Sequence, residues 1–390
     1  MIPENDWNQI LNHLGEERDK YFNAVSPPVI QSSNFMFPNL QAFRKAIEDE
    51  LENTIYTRGT NPTVNILRKK IAALEDTEDA LILSSGSAAI AASVIANVQL
   101  GDHIVCVQSP YSWTFTLLTK FLPRFGVNST FVDGRDLNAI DAAITKDTKI
   151  LYLESPTTFY FDLQDLEACA KIAKKHNIKT IIDNSYASPY FQNPSKFGID
   201  IIVHSGTKYL NGHSDVVAGI ICGSKEDIKN IFNIEYMTLG AIISPHDANL
   251  ITRGLRTLPL RMQRSNDSAQ KIVNYLSAHP KIERVVYPFH NTFEQLSLAR
   301  RQMRGAGGLF SFYLKTDSQS KAELFFHSLK RFLLAVSWGG HESLVMPMVA
   351  FYDVKGRPKP DAPINMVRMY IGLEDPEWLI EDLSQALDKI

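Results

Sequence analysis

The stretch Ile199-Asp200-Ile201-Ile202-Val203-His204-Ser205-Gly206-Thr207-Lys208 decides how this chain is read. Its apolar head, Ile199–Val203, has the β-branched density of a buried strand, and it runs out into two hydroxyls, a glycine and an amine. Upstream, Thr180-Ile181-Ile182 is a second such run, and it stops on a carboxylate, Asp183. Successive strands that each end in a chemistry-bearing group point to a parallel sheet whose ligands gather at its carboxyl edge.

Working outward, short apolar runs alternate with helical patterns from about residue 56 to 245. The runs are Ala80–Leu83, Ile104–Val107, Thr130–Val132, Ile150–Leu153, Thr180–Ile182, Ile199–Val203 and Gly219–Cys222. Between two of them, Leu163–His176 puts Leu166, Ala170 and Ala173 on one helical face. The alternation predicts an α/β unit with a mostly parallel sheet covered by helices. From residue 246 to 390 the order changes to a smaller α+β C-terminal domain. It comprises a long helical stretch carrying Leu255, Leu258, Met262 and Ile272, then Leu309–Leu314, the helix Lys321–Leu329, Phe332–Val336, Met366–Ile371 and the helix Pro376–Leu387. Residues 1–55 are polar and irregular from Ser26-Pro27-Pro28 to Phe37-Pro38, as in an arm laid over a neighbouring surface.

The 390 residues are 44% hydrophobic and 21% charged, with a net charge of −3. Such a chain has no electrostatic footprint for nucleic acid or an anionic membrane. Arg253, Arg256, Arg261 and Arg264 are expected to form a solvated helix face or a subunit contact. Cys106, Cys169 and Cys222 lie in or beside apolar runs and away from metal-ligand spacing, as small core residues in a reducing compartment do. The opening Met1-Ile2-Pro3-Glu4-Asn5-Asp6 lacks a basic and apolar leader pattern, and no apolar run reaches membrane-spanning length, so a cytoplasmic protein is expected.

An amine, phosphate-sized hydroxyls and a carboxylate at strand ends are what pyridoxal 5'-phosphate (PLP) requires. The lysine links to its aldehyde, and the carboxylate keeps the pyridine nitrogen protonated. Ser84-Ser85-Gly86-Ser87-Ala88-Ala89-Ile90 follows a strand and opens a helix, which offers Gly86 and Ser87 to a phosphate. Tyr56-Thr57-Arg58-Gly59-Thr60-Asn61-Pro62-Thr63 adds a phenol and a guanidinium able to grip phosphate oxygens. Tyr111, after Ile104–Val107, is placed to stack on the ring. Each piece has a plainer reading: a solvated turn lysine, a capped helix start, a packed tyrosine. Their conjunction favours the cofactor.

The chain resembles the Cys/Met-metabolism family of PLP enzymes, the cystathionine lyases and synthases. The resemblance rests on Tyr56–Thr63, Ser85–Ala89, Asp183-Asn184-Ser185-Tyr186-Ala187-Ser188-Pro189-Tyr190 and Ser205–Val216. Arg253–Leu258, Ser337-Trp338-Gly339-Gly340-His341-Glu342-Ser343-Leu344 and Arg368–Asp375 complete it. It implies the PLP-dependent transferase (aminotransferase type I) fold, with a mostly parallel seven-stranded sheet, and a homotetramer built as a dimer of dimers. It further implies that Lys208 holds PLP and moves protons, Asp183 binds the pyridine nitrogen, and Gly86, Ser87, Ser205 and Thr207 bind phosphate. Tyr56 and Arg58 would reach in from a neighbouring subunit. Tyr111 would stack on the ring and assist proton transfer, and Ser337 and Arg368 would hold the substrate carboxylate.

Local spellings are closest to bacterial cystathionine β-lyases: Glu154-Ser155-Pro156, Gly308-Leu309-Phe310-Ser311-Phe312 and Ser337-Trp338-Gly339-Gly340. They lead to the expectation of a carbon–sulfur lyase acting by β-elimination on cystathionine or a related sulfur amino acid, giving pyruvate, ammonia and a thiol. The alternatives are γ-elimination or γ-replacement, as in cystathionine γ-lyase, methionine γ-lyase or cystathionine γ-synthase. Thr158 and Phe159 stand where γ-type members usually have asparagine-proline, and Val336 stands where cystathionine enzymes have tyrosine or glutamate. An apolar Val336 cannot pair with a distal ammonium and suits a methionine-like substrate; Trp113 either narrows the pocket or simply packs. His204, His213 and Asp215 lack reliable metal-ligand spacing, and no metal is expected. A non-catalytic PLP-fold binding protein would be expected to lose Lys208, Asp183 or Arg368, and all three are present.

Overall fold

The computed structural model describes residues 6–352, 354–356, 360 and 362–390; residues 1–5, read above for a leader, lie outside it. The larger sheet takes its strands from β1 (Asp79–Leu83), β2 (His103–Val107), β3 (Asn128–Val132), β4 (Thr148–Glu154), β5 (Lys179–Asp183), β6 (Ile201–Ser205) and β7 (Gly219–Gly223). Their order is β1-β7-β6-β5-β4-β2-β3. The β2–β3, β2–β4, β4–β5 and β5–β6 pairings are parallel, while β7 runs antiparallel to both β1 and β6. The expected mostly parallel sheet is therefore present, with β7 as its one reversed strand. Strands β1, β4, β6 and β7 are buried almost throughout because helices cover both faces, which is why they read as unbroken apolar runs instead of alternating ones.

A second sheet comprises β8 (Ile282–Val286), β9 (Leu309–Leu314), β10 (Leu333–Leu334), β11 (Leu344–Pro347) and β12 (Met366–Tyr370), in the order β10-β11-β12-β9-β8. The expected strand Phe332–Val336 shrinks to the two exposed residues of β10, because the chain turns away at Ser337 (φ +77°). The expected long helix divides into Pro245–Leu255 and Leu258–Ala278, and Pro259 sits in the first turn of the second, where a missing N–H costs nothing.

Two tyrosines fasten the sheets together. Tyr186 donates from its hydroxyl to the carbonyl of Leu309 at 2.8 Å, and the Tyr209 hydroxyl accepts from Gly308 N–H at 2.8 Å. Arg261 corrects the expectation of a solvated arginine face: it is buried and donates to the carbonyls of Tyr209 and Gly254, both at 2.8 Å. A turn that brings its guanidinium under the backbone after Lys208 leaves no signature in helical spacing. Arg256 pairs with Glu16 at 2.9 Å, and Glu16 also meets Arg18 at 2.7 Å and the fully buried Lys70 at 3.1 Å. Lys70 donates as well to the carbonyls of Ile10 and Leu11, so part of the N-terminal arm is anchored to the body by charge. The three cysteines are buried, and none is paired.

Candidate active site

The carboxyl edge of the large sheet collects side chains that are far apart in sequence. Strand β4 ends in Glu154, β5 in Asp183 and β6 in Ser205; β1 leads into Ser84-Ser85-Gly86, and β2 into Tyr111. Parallel strands deliver every one of these to the same side.

The turn after β1 opens the helix Gly86–Ile95, capped by Ser85, whose hydroxyl accepts from Ala88 N–H at 3.1 Å. The N–H groups of Gly86 and Ser87 stand in its first turn, where no intrahelical carbonyl reaches them. Close approach makes this cradle. A Cβ on Gly86 would lie 3.0 Å from the Ser205 Cβ, and one on Gly219 would lie 1.9 Å from the Ser85 carbonyl oxygen. Glycine at Gly219 is thus what lets the β1 loop settle against β7 and face Ser205. Thr207 takes part on the same side, but its hydroxyl is held by Ala218, accepting from its N–H at 3.0 Å and donating to its carbonyl at 3.3 Å. Two N–H groups, a helix N-terminus and the hydroxyls of Ser87 and Ser205 form a donor set that fits a phosphate dianion.

Lys208 is largely buried, and its ammonium donates to the Ser337 hydroxyl and lies 5.5 Å from the Trp338 ring centroid. Burial, assisted by the Arg368 charge and opposed by Asp183, pulls its pKa down to about 8. A lysine that releases its proton this easily is suited to nucleophilic and base chemistry. The backbone holds it rigidly: a Cβ on Gly339 (φ +91°) would meet the Tyr209 nitrogen at 2.8 Å, so the Ser337–Gly340 loop lies directly on the Lys208 backbone.

Asp183 and Glu154 are register partners on β5 and β4, and both are buried. Burial raises both carboxyls. Asp183 is countered by donors from Ser185 and by the charges of His204 and Lys208, whereas Glu154, also facing the Asp183 charge, is pushed up to about 8. Glu154 thereby becomes the proton holder of the two. It accepts from Tyr111 N–H at 2.6 Å and from the N–H and hydroxyl of Thr158, each at 2.7 Å. The Tyr111 phenol is raised by burial, against a hydrogen bond to Ser87, so it stays protonated at neutral pH.

Arg368, on β12, is only 9% exposed, and burial lowers its pKa to about 10. No carboxylate faces it among the described residues; its neighbours are the Met346 sulfur at 3.3 Å and the Phe159 ring at 5.0 Å. A buried cation without an anion is a site for an anionic ligand. Val336 and Trp113 are exposed, at 67% and 61%.

Lys208, Asp183, Ser205, Gly86, Ser87, Tyr111, Ser337 and Arg368 therefore converge. Tyr56 and Arg58 do not: both are exposed, paired with each other at 5.3 Å, and among the described residues no hydrogen bond joins them to the Lys208 group. His204 is bound to the buried Glu75 at 2.5 Å and His213 to the Asn211 carbonyl at 2.7 Å. Glu154 carries the same sequence signal as Asp183, a carboxylate that ends an apolar run, but its charge has no counterpart in the expected cofactor contacts.

A model of the Cys/Met metabolism PLP-dependent enzyme family matches residues 9–388. The L-methionine gamma-lyase of Treponema denticola is 39% identical over 386 residues, covering 97% of this chain and 96% of that protein. The cystathionine gamma-lyase of Macaca fascicularis is 36% identical over 381 residues, covering 96% and 92%. The crystal structure of metB from Corynebacterium glutamicum superposes with a TM-score of 0.91 at 34% identity over 98% of each chain.

Proposed function

From the premise that this chain belongs to the Cys/Met metabolism PLP-dependent enzyme family, we propose that it cleaves a methionine-like sulfur amino acid by γ-elimination, giving a thiol, ammonia and 2-oxobutanoate. The observation that carries this reading is the buried Arg368, which faces no carboxylate among the described residues, beside a Lys208 of lowered pKa, with the apolar, exposed Val336 preceding the Ser337 that meets the lysine. The names of the similar γ-lyases support it.

Bound PLP supplies an electron sink for the pair left on Cα when its proton departs. Arg368 takes the substrate carboxylate through parallel N–H donors, and Ser337, hydrogen-bonded to Lys208, sits at the same end. That grip fixes which Cα bond points at the lysine. Lys208, unprotonated in growing fraction as pH rises past about 8, would take the Cα proton, hand it on to the conjugated system that PLP would supply and, so freed, take one from Cβ. Tyr111, still carrying its hydroxyl proton, gives it to the departing sulfur. Asp183 would hold the pyridine nitrogen, and Gly86, Ser87, Ser205 and Thr207 would hold the phosphate, Thr207 giving up its hydroxyl bond to Ala218 to do so. The exposed Tyr56 and Arg58 act from one subunit into the site of another, within a homotetramer.

One observation favours a second reading, β-elimination from cystathionine: the Ser337-Trp338-Gly339-Gly340 spelling, with Trp338 against the Lys208 amine. Incubating the PLP-loaded protein with L-methionine, cystathionine and L-cysteine and identifying the keto acids separates the two. 2-Oxobutanoate from methionine is expected; pyruvate and homocysteine from cystathionine, with methionine inert, would establish the second reading in its place.

A further inference from the structure

The turn after β4 contains Phe159 in the left-handed region, at φ +67°. That conformation is disfavoured for a residue with a Cβ, which crowds the following carbonyl oxygen. It is held there by a closed set of bonds: Tyr160 N–H to Thr158 O at 2.9 Å, Phe161 N–H to Thr157 O at 3.1 Å, and Thr157 N–H to Asp162 O at 3.0 Å. Thr158 is clamped in turn to Glu154 through its N–H and its hydroxyl. The backbone enters the left-handed region at Phe159 and again at Phe161 (φ +57°), and the Phe159 ring lies over the Arg368 guanidinium, 5.0 Å from Cζ to centroid. The ring also packs against a cluster formed by Tyr313, Met346, Met348, Ala362 and Met366.

Among the described residues no carboxylate orients Arg368; the Met346 sulfur and this ring lie against it. A planar guanidinium seated on an aromatic face keeps its in-plane donors free, which is the geometry needed to take a carboxylate by two parallel hydrogen bonds. We propose that Phe159 is a positioning residue that presents Arg368 to the substrate α-carboxylate, linking the β4 edge of the large sheet to β12 of the small one. The proposal rests on the assignment of Arg368 to that carboxylate. Thr158-Phe159 is also where the chain departs from the asparagine-proline of γ-type members, so this arrangement is a property of this chain's own residues.

The test is binding without turnover. 4-(Methylsulfanyl)butanoate has the carboxylate and thioether of methionine at the same spacing but no amine, so calorimetric titration of the PLP-loaded protein reads carboxylate binding without turnover. Phe159→Gly removes the ring while accepting a positive φ, so the turn is kept; Phe159→Tyr retains the ring face; PLP absorbance reports cofactor loading in each. Phe159→Gly is expected to weaken binding about 3- to 10-fold, the scale of a partly desolvated cation–π contact, with Phe159→Tyr within about 2-fold of the parent. Unchanged affinity in Phe159→Gly, or equal losses in both variants, would overturn the proposal. Arg368→Gln separates the two layers: if it abolishes binding while Phe159→Gly leaves the affinity unchanged, Phe159 fails and the Arg368 assignment stands, and if Arg368→Gln itself binds normally, the underlying assignment fails.

Discussion

Glu154 and Asp183 stand opposite each other on neighbouring parallel strands, two buried carboxyls sharing one edge of the sheet. Of the two, Glu154 takes the proton, with its pKa pushed up to about 8 by burial and by Asp183. A carboxyl whose pKa is higher folded than unfolded stabilises the fold at low pH and withdraws that stability as pH rises toward the folded value. The apo-protein is therefore expected to lose stability between about pH 4.5 and 8. In Glu154→Gln that decline should be shallower, as measured by urea unfolding across the range. Parallel curves for the two proteins would contradict the assignment.

Lys208 gives a second pH dependence, of opposite sense. Its amine attacks an aldehyde only when unprotonated, and burial places its pKa near 8. The rate at which apo-protein takes up PLP, followed by absorbance, is expected to rise tenfold per pH unit below about 8 and to level above it. Lys208→Ala should show no borohydride-trappable adduct.

Gly219 controls the cradle indirectly. A methyl group there would collide with the Ser85 carbonyl, 1.9 Å away, and neither backbone can yield without moving β7 from β1. Gly219→Ala is expected to destabilise by about 2 kcal/mol or more, as overpacking does, and to weaken PLP binding at least tenfold in equilibrium dialysis.

Val336 bears on substrate choice. A carboxylate at this exposed position can meet a distal ammonium, which an isopropyl group cannot. Val336→Glu is expected to raise kcat/KM for cystathionine relative to methionine by about 10-fold, the scale of one charge-assisted hydrogen bond. A ratio unmoved by the change would place Val336 outside the pocket.

Much of the site could be read from the chain because its parts sit at strand ends. Asp183, Ser205 and the Ser84–Ser87 turn each follow an apolar run, and parallel strands must bring such residues to one edge. Arg368 was legible only through resemblance, since it lies inside β12, flanked by apolar residues that announce a core strand. Glu16 and Lys70 were invisible as a pair, being 54 positions apart and each surrounded by ordinary helix or loop residues.

Local order therefore settled the strand run, the cradle and the identity of the chemical groups, since these follow from periodicity of two or 3.6 residues and from what ends each run. Only the tertiary structure decided that Arg368 is a buried cation facing an aromatic ring, that Glu154 shares its edge with Asp183, and that Arg261 lies beneath Tyr209. Desolvation and charge coupling depend on which distant segments close over a group, and that closure is a property of packing between sheets, which sequence spacing does not carry.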